Sequence, residues 1–181
     1  MTSGFDPASY YAFDLARGSV QTRHGDRVLV LSTDTVGPLV SLAVKHGDLT
    51  AVRALGKRIG EDAARSLGSD VRSATPEDVV NHASGTLAML GFGALSLERW
   101  ADALVLSLAG SPPLDTEHLG LAALLGGLLT SLGGRDIACV PIEHGARFVV
   151  VHPVIAEEVW TWSKEGVALA EIVSRLAREA A

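Results

Sequence analysis

The chain has 181 residues, of which 48% are hydrophobic and 20% charged; this suits one domain with a full core and excludes a disordered or fibrous chain. A net charge of −6 gives no electrostatic reason to bind nucleic acid or an anionic membrane surface. The single cysteine excludes an internal disulfide framework and fits a reducing compartment.

Residues 1–18, "MTSGFDPASYYAFDLARG", carry acids and lack both a clear period and the apolar run of a secretory signal, so they read as an N-terminal arm. "SVQTRHGDRVLVLS" sets "HGD" between two β-prone runs, a hairpin with strands near 19–23 and 27–32. Asp34 is expected to cap a helix over 35–46. Asp48 is expected to cap a second over 49–68, with Leu55, Ile59, Ala63 and Leu67 on one face and Gly68 closing it. Thr75 as N-cap and Pro76 at the first helical position open a third helix, whose period is set by Val79, Val80, Ala83 and Leu87 and whose end is marked by Gly91 and Gly93.

Two adjacent strands follow near 93–99 and 102–109, then the loop "SPPLDTEHLG" and a helix over 116–132 rich in Leu, Ala and Gly. The most apolar stretch, Leu119 to Gly134, is shorter than the roughly 20 residues that a bilayer span needs, so a soluble, cytoplasmic protein with no membrane span is expected. A second hairpin occupies 136–142 and 147–152, and from Val154 the pattern is helical with a break at Gly166. The order β-β-α-α-α-β-β-α-β-β-α predicts an α+β fold, an antiparallel sheet with helices packed on one side. It divides into an arm (1–18), a main α+β domain (19–152) and a C-terminal helical extension (153–181).

The stretch "CVPIEHGARFVVVH", 139–152, concentrates the chemically capable residues. Strand alternation puts Ala138, Val140 and Ile142 on one face and Ile137, Cys139 and Pro141 on the other; beyond the turn, Val149 and Val151 oppose Phe148, Val150 and His152. Gly145 supplies the positive φ that a hairpin turn needs. Zinc held by Cys139, Glu143 and a histidine falls short of the four ligands of a structural site, and the chain has no second cysteine. Cys139 beside His144 or His152 reads as a small buried hydrophobe rather than a nucleophile. His82 and Ser84, two apart on a helix, point in different directions. Glu61–Asp62 and Glu157–Glu158 read as solvated helix positions. No G-x-S-x-G elbow, phosphate loop or dinucleotide fingerprint occurs. Neither an enzymatic activity nor a metal or other cofactor is expected.

Three segments in order, "AVRALGKRIGEDAARSLG", "SATPEDVVNHASGTLAMLGFGALSLERW" and "HLGLAALLGGLLTSLGGRDIACVPIEHGARFVVVHP", give residues 51–153 a pattern that resembles the 4-vinyl-reductase domain family and its relatives, the TRAPP vesicle-tethering subunits. The resemblance implies a non-catalytic α+β domain that dimerises and acts as a scaffold or regulator, with a small GTPase or its regulator as the class of protein partner. Its alternative is a sensor that holds a small apolar molecule between helices and sheet. Cysteines that bind zinc beside the last hairpin in some members have no counterpart here except Cys139, and the acylated cysteine of TRAPP-type subunits has none on the early helices, so neither feature carries over.

Side chains can be assigned to each reading. Leu39, Leu42, Val44, Val52 and Leu55 on the first two helices form the expected homodimer interface, with core burial as the competing role. Ile59, Leu87 and Phe92 form the expected apolar pocket, which shares its side-chain types with packed core. Trp160 and Trp162 stand about 200° apart around a helix, so one of them is expected to meet a second surface, either the segment with Tyr10 and Tyr11 or a protein partner. Ala122, Ala123, Gly126 and Gly127 would let the helix over 116–132 lie flat on its sheet or admit another backbone.

Overall fold

The computed structural model describes residues 7, 8, 10–68, 71–142 and 146–179. Strands β1 (Tyr11–Asp14), β2 (Ser19–Thr22) and β3 (Arg27–Val28) come first, followed by helices α1 (Thr33–His46), α2 (Thr50–Leu67) and α3 (Pro76–Met89). Strands β4 (Ala94–Trp100) and β5 (Ala103–Ala109), helix α4 (Leu119–Gly133), and strands β6 (Ala138–Ile142) and β7 (Arg147–Val151) come next. Helices α5 (Ala156–Lys164) and α6 (Leu169–Glu179) close the order, and 3-10 turns lie at Val71–Ser73 and Pro153–Ile155. The class is α+β, with one antiparallel sheet ordered β1-β2-β3 and a second ordered β4-β5-β7-β6.

Local chemistry sets most boundaries. The Asp78 N–H donates to Thr75 Oγ1 at 3.1 Å, with Pro76 in the first turn of α3, as the cap-and-proline signal requires. α1 starts two residues earlier than expected. Its N-cap is Ser32, so Asp34 lies inside the first turn, where its charge faces the positive end of the helix dipole instead of capping. Asp48 stands just ahead of the N-cap Leu49 and accepts the Thr50 N–H at 3.0 Å, a hydrogen bond that holds its carboxyl below the ordinary aspartate range.

The described part of the N-terminal stretch carries a strand, β1. β1 pairs antiparallel with β2 from Tyr11↔Thr22 to Asp14↔Ser19. Tyr10 is buried, and the Tyr11 hydroxyl donates to the Met89 carbonyl at 3.3 Å, fixing this small sheet to the end of α3. Two aromatic side chains thus supply an anchor that a search for period cannot register. Asp26, in the β2–β3 turn, pairs with Arg58 at 3.2 Å and Arg65 at 2.8 Å on α2. The strand expected over 27–32 stops at Val28, where pairing with Val20 ends, and Leu29, Val30 and Leu31 run on exposed into α1.

α2 and α4 cross with their backbones in contact. A Cβ on Gly56 would overlap the Leu124 carbonyl oxygen, one on Gly127 would overlap that of Arg53, and one on Gly60 would stand 2.7 Å from that of Leu128. Gly126 faces the sheet side, where a Cβ would lie 3.2 Å from the Ile137 oxygen. The small residues of α4 therefore serve both expected ends, closeness to the sheet and admission of a second backbone, which belongs to α2 of the same chain. Arg53 locks the crossing: its guanidinium donates to Thr130 Oγ1 and the Ile137 carbonyl, both at 2.9 Å, and to Asp136 Oδ1 at 3.2 Å.

The larger sheet is covered on two faces. Leu95, Leu106, Leu108, Cys139 and Phe148 pack beneath the α1–α4 layer. Val105, Val140, Ile142, Val149 and Val151 pack beneath α5 and α6 through Val159, Leu169, Ile172 and Val173. Strand alternation places the described residues of 138–151 on these faces as the sequence predicts. The C-terminal extension supplies the second cover.

The glycine contact makes a prediction of opposite sign to helix propensity. Gly56→Ala should destabilise the protein by about 3 kcal/mol or more in urea denaturation, because the methyl must displace backbone, although Ala is intrinsically favoured over Gly in a helix by about 1 kcal/mol. Ala54→Gly, on the exposed face of α2, should cost only about that propensity difference.

Candidate functional site

α3 presents Pro76, Val79, Val80 and Ala83, a run at helical spacing, toward the larger sheet. The sheet answers with Leu95 and Leu97 of β4, Leu104 and Leu106 of β5 and Val150 of β7. The register aligns them: Leu97 pairs with Leu106, and Leu104 with Val150. Leu129, Leu132 and Gly133 at the end of α4 form a third wall, and Val71 and Ala74 lie along the rim. Between these walls is a half-open cavity of about 440 Å³, in which Leu97 and Leu104 remain 38% exposed. Ser84 Oγ accepts the Leu95 N–H at 3.1 Å, tying α3 to the first strand of the cavity floor.

The mouth is formed by the turn after α4. Gly134 ends the helix in the left-handed region at φ 64°, its N–H donating to the Thr130 carbonyl at 3.1 Å. The Ile137 N–H then donates to Thr130 Oγ1 at 3.1 Å. Arg135 and Ile137 of this turn line the cavity, and Arg135 is the only charged side chain among the described lining residues.

A second cleft of about 450 Å³ lies on the opposite sheet face beside α6, lined by Ala103, Val151, Ile155, Val173 and Leu176 and carrying Asp102 and His152. Its helical wall is α6 alone, whereas the first cavity is held between two helices and three strands.

The expected pocket residues lie beside the cavity rather than around it. Ile59 and Leu87 are almost wholly buried in packed core, and Phe92 is half-buried against the same cluster. Leu87 is one turn past Ala83, and the open space begins a turn earlier, at Pro76, Val79, Val80 and Ala83. Val79 and Val80 were visible only as part of the helical period, because cavity walls and core ask for the same side chains.

The expected dimer residues also divide. Val52 is 8% exposed inside the chain's own core and Val44 is half-buried against it, because α2 and α1 turn these positions onto α4; neither is available to a second molecule. Leu39 (63% exposed), Leu42 (54%) and Leu55 (44%) stand open. Leu55 thus departs from the buried face of α2, which runs through Val52, Gly56, Ile59, Gly60 and Ala63. Trp160 and Trp162 both rest half-buried on the cluster beneath α5, each with a cation over its ring, Lys164 at 5.4 Å and Arg175 at 5.1 Å. Indoles are wide enough to reach one cluster from two helix faces, which the angular argument overlooked.

No family model matches the sequence, and no curated protein matches it. Among solved structures, the phenol-responsive sensory domain of the transcription activator PoxR, crystallised with phenol, is similar with a TM-score of 0.54. The match covers 90% of this chain and 92% of that one at 14% sequence identity, a likeness of fold. No helix among the described residues is long and apolar enough to cross a membrane.

Glu143, His144 and Gly145 lie outside the described residues, and so does the hairpin turn they were read to form. Among the described residues no group of three or more His, Cys, Asp and Glu is placed to hold a metal. Cys139 faces the α4 side of the sheet, and burial pushes its thiol up to about 12, against a smaller opposing effect of the Arg53 charge. A thiol so raised stays protonated across the neutral range and is a poor nucleophile. In the native protein at pH 8, Cys139 should therefore resist a thiol-specific disulfide reagent over hours, and label within minutes once guanidinium unfolds the chain; rapid native labelling would contradict the burial. The same shift makes stability fall as pH rises from about 9 toward 12, because the unfolded thiol ionises first.

Proposed function

We propose that this chain is a regulatory sensor that holds a small apolar molecule in the cavity between α3, the end of α4 and the larger sheet. The observation that carries this reading is the cavity itself, about 440 Å³ with walls almost entirely of Val, Leu, Ala and Ile. That size falls in the range of roughly 300–1,000 Å³ typical of small-molecule sites, and covering its exposed apolar lining, Leu97 and Leu104 included, would favour an apolar guest. Its fold likeness to a domain described as phenol-responsive supports the reading. An occupant would touch α3 and β5 together, and so would stiffen the one helical wall that is not locked to α4 by backbone contact.

Homodimerisation is a second reading, favoured by the exposed apolar side chains of Leu29, Val30, Leu31, Leu39, Leu42 and Leu55. Leu39 and Leu42 are three apart and share a face of α1, and exposed apolar groups of this kind mark contact surfaces. The two readings are compatible, since the cavity and this surface use different residues.

Thermal unfolding with ethylbenzene tests the sensor. At a ligand concentration 100 times Kd, mass action adds about 2.7 kcal/mol, which for a chain of this size raises Tm by about 5–10 °C. Val80→Phe, which fills the space, should remove the rise while leaving the Tm of the free protein nearly unchanged. Sedimentation tests the dimer: Leu39→Asp with Leu42→Asp should yield a monomer with native circular dichroism, and a wild-type protein still monomeric at about 1 mM, which limits any association to about 4 kcal/mol, would refute pairing.

A further inference from the structure

We propose that the cavity selects apolar molecules bearing a carboxylate, with Arg135 at the mouth as the residue that binds the acid group. This rests on the reading of the cavity as a ligand site and adds the chemical class of the ligand. Arg135 lines the cavity, and among the arginines whose side chains are described it is the one with neither a hydrogen bond nor an ion pair. Arg53, Arg58, Arg65, Arg99, Arg147 and Arg175 are each engaged by a carboxylate.

The turn explains why Arg135 is left over. Its neighbour Asp136, the nearest acid in sequence, is taken by Arg53 at 3.2 Å. Thr130 holds the turn from both sides, accepting the Gly134 N–H through its carbonyl and the Ile137 N–H through its hydroxyl. Arg135 is thus presented from a pinned backbone, with no Asp or Glu among the described lining residues to neutralise it.

The deep walls narrow the ligand further. Ala83, Leu95 and Leu106, the buried part of the lining, carry no side-chain donor or acceptor. A hydroxyl or amide lodged among them would lose water without gaining a partner. A ligand's polar group is therefore disfavoured against the buried lining and belongs at its exposed part, where the Arg135 guanidinium offers the planar pair of N–H donors that matches a carboxylate.

Calorimetric titration of the full chain with 4-ethylbenzoate and with ethylbenzene, at low and high salt, tests this directly. The acid should bind about two- to fivefold more tightly than the hydrocarbon, the order expected of a solvent-accessible charge-assisted pair, and only its affinity should weaken with salt. Arg135→Gln should abolish that preference, leave ethylbenzene binding unchanged and leave Tm unchanged, since the side chain has no partner to lose. Equal binding of acid and hydrocarbon to the wild type, or a preference that survives Arg135→Gln, would overturn the role of Arg135 while the sensor reading stands. Failure of both probes to bind the wild type would overturn the sensor reading, and this proposal with it.

Discussion

The backbone contact between α2 and α4 is the constraint from which the rest of the structure follows. Helices usually keep a side chain's thickness between them, with axes about 8–10 Å apart. Here Gly56 and Gly60 on one helix and Gly127 on the other remove that thickness, so carbonyl oxygens meet Cα positions directly. Three Gly residues cost helix propensity of about 1 kcal/mol each, and the closeness they permit is then fixed by Arg53, whose guanidinium reaches across to Thr130, Asp136 and the Ile137 carbonyl. Buried between α2 and the sheet, α4 is apolar all round, with Leu121, Leu124, Leu125 and Leu128 fully enclosed.

This crossing also determines where the fold is open. α2 and α4 occupy the middle of the helical layer, and α3 packs beside α2 over β4. The space between the C-terminal end of α4, α3 and the sheet is left half-open, with Val79, Val80 and Ala83 facing Leu129 and Leu132. The opposite face of the sheet is covered by α5 and α6 except for the cleft beside α6, and the cover is held partly through Ser163, which donates to the Pro141 carbonyl at 2.9 Å, and through the Lys164–Glu117 ion pair. With β6 and β7 covered on both sides, their sequences read as nearly continuous apolar runs rather than alternating ones.

How much of this could be read in advance depended on whether the signal was local. Thr75 and Pro76 announce the start of α3 because capping is a matter of a few adjacent atoms, and "HGD" announces the β2–β3 turn for the same reason. The α+β class and the two faces of β6 and β7 followed from period alone. Tyr10 and Tyr11 gave no such sign, since their role as an anchor depends on a distant Met89 carbonyl. Leu29 to Leu31 had the composition of a strand but found no strand to pair with, which only the assembled sheet reveals. The candidate site was legible only as apolar helix and strand positions: Ile59 and Leu87 were indistinguishable from Val80 and Ala83, because packed and unpacked apolar positions use one alphabet. Arg135 was invisible for a related reason, since a guanidinium without a partner is a property of three-dimensional arrangement.

The central claim is that the space beneath α3 is a binding site rather than a packing defect. Methyl NMR of the protein titrated with a small neutral hydrocarbon tests it most directly. Shifts that saturate and fall on Val79, Val80, Leu97, Leu104 and Leu132, with Val159, Leu169 and Ile172 beneath α5 and α6 unmoved, are the predicted result. No saturating shift at the ligand's solubility limit, or shifts centred on Val173 and Leu176 beside α6, would contradict it.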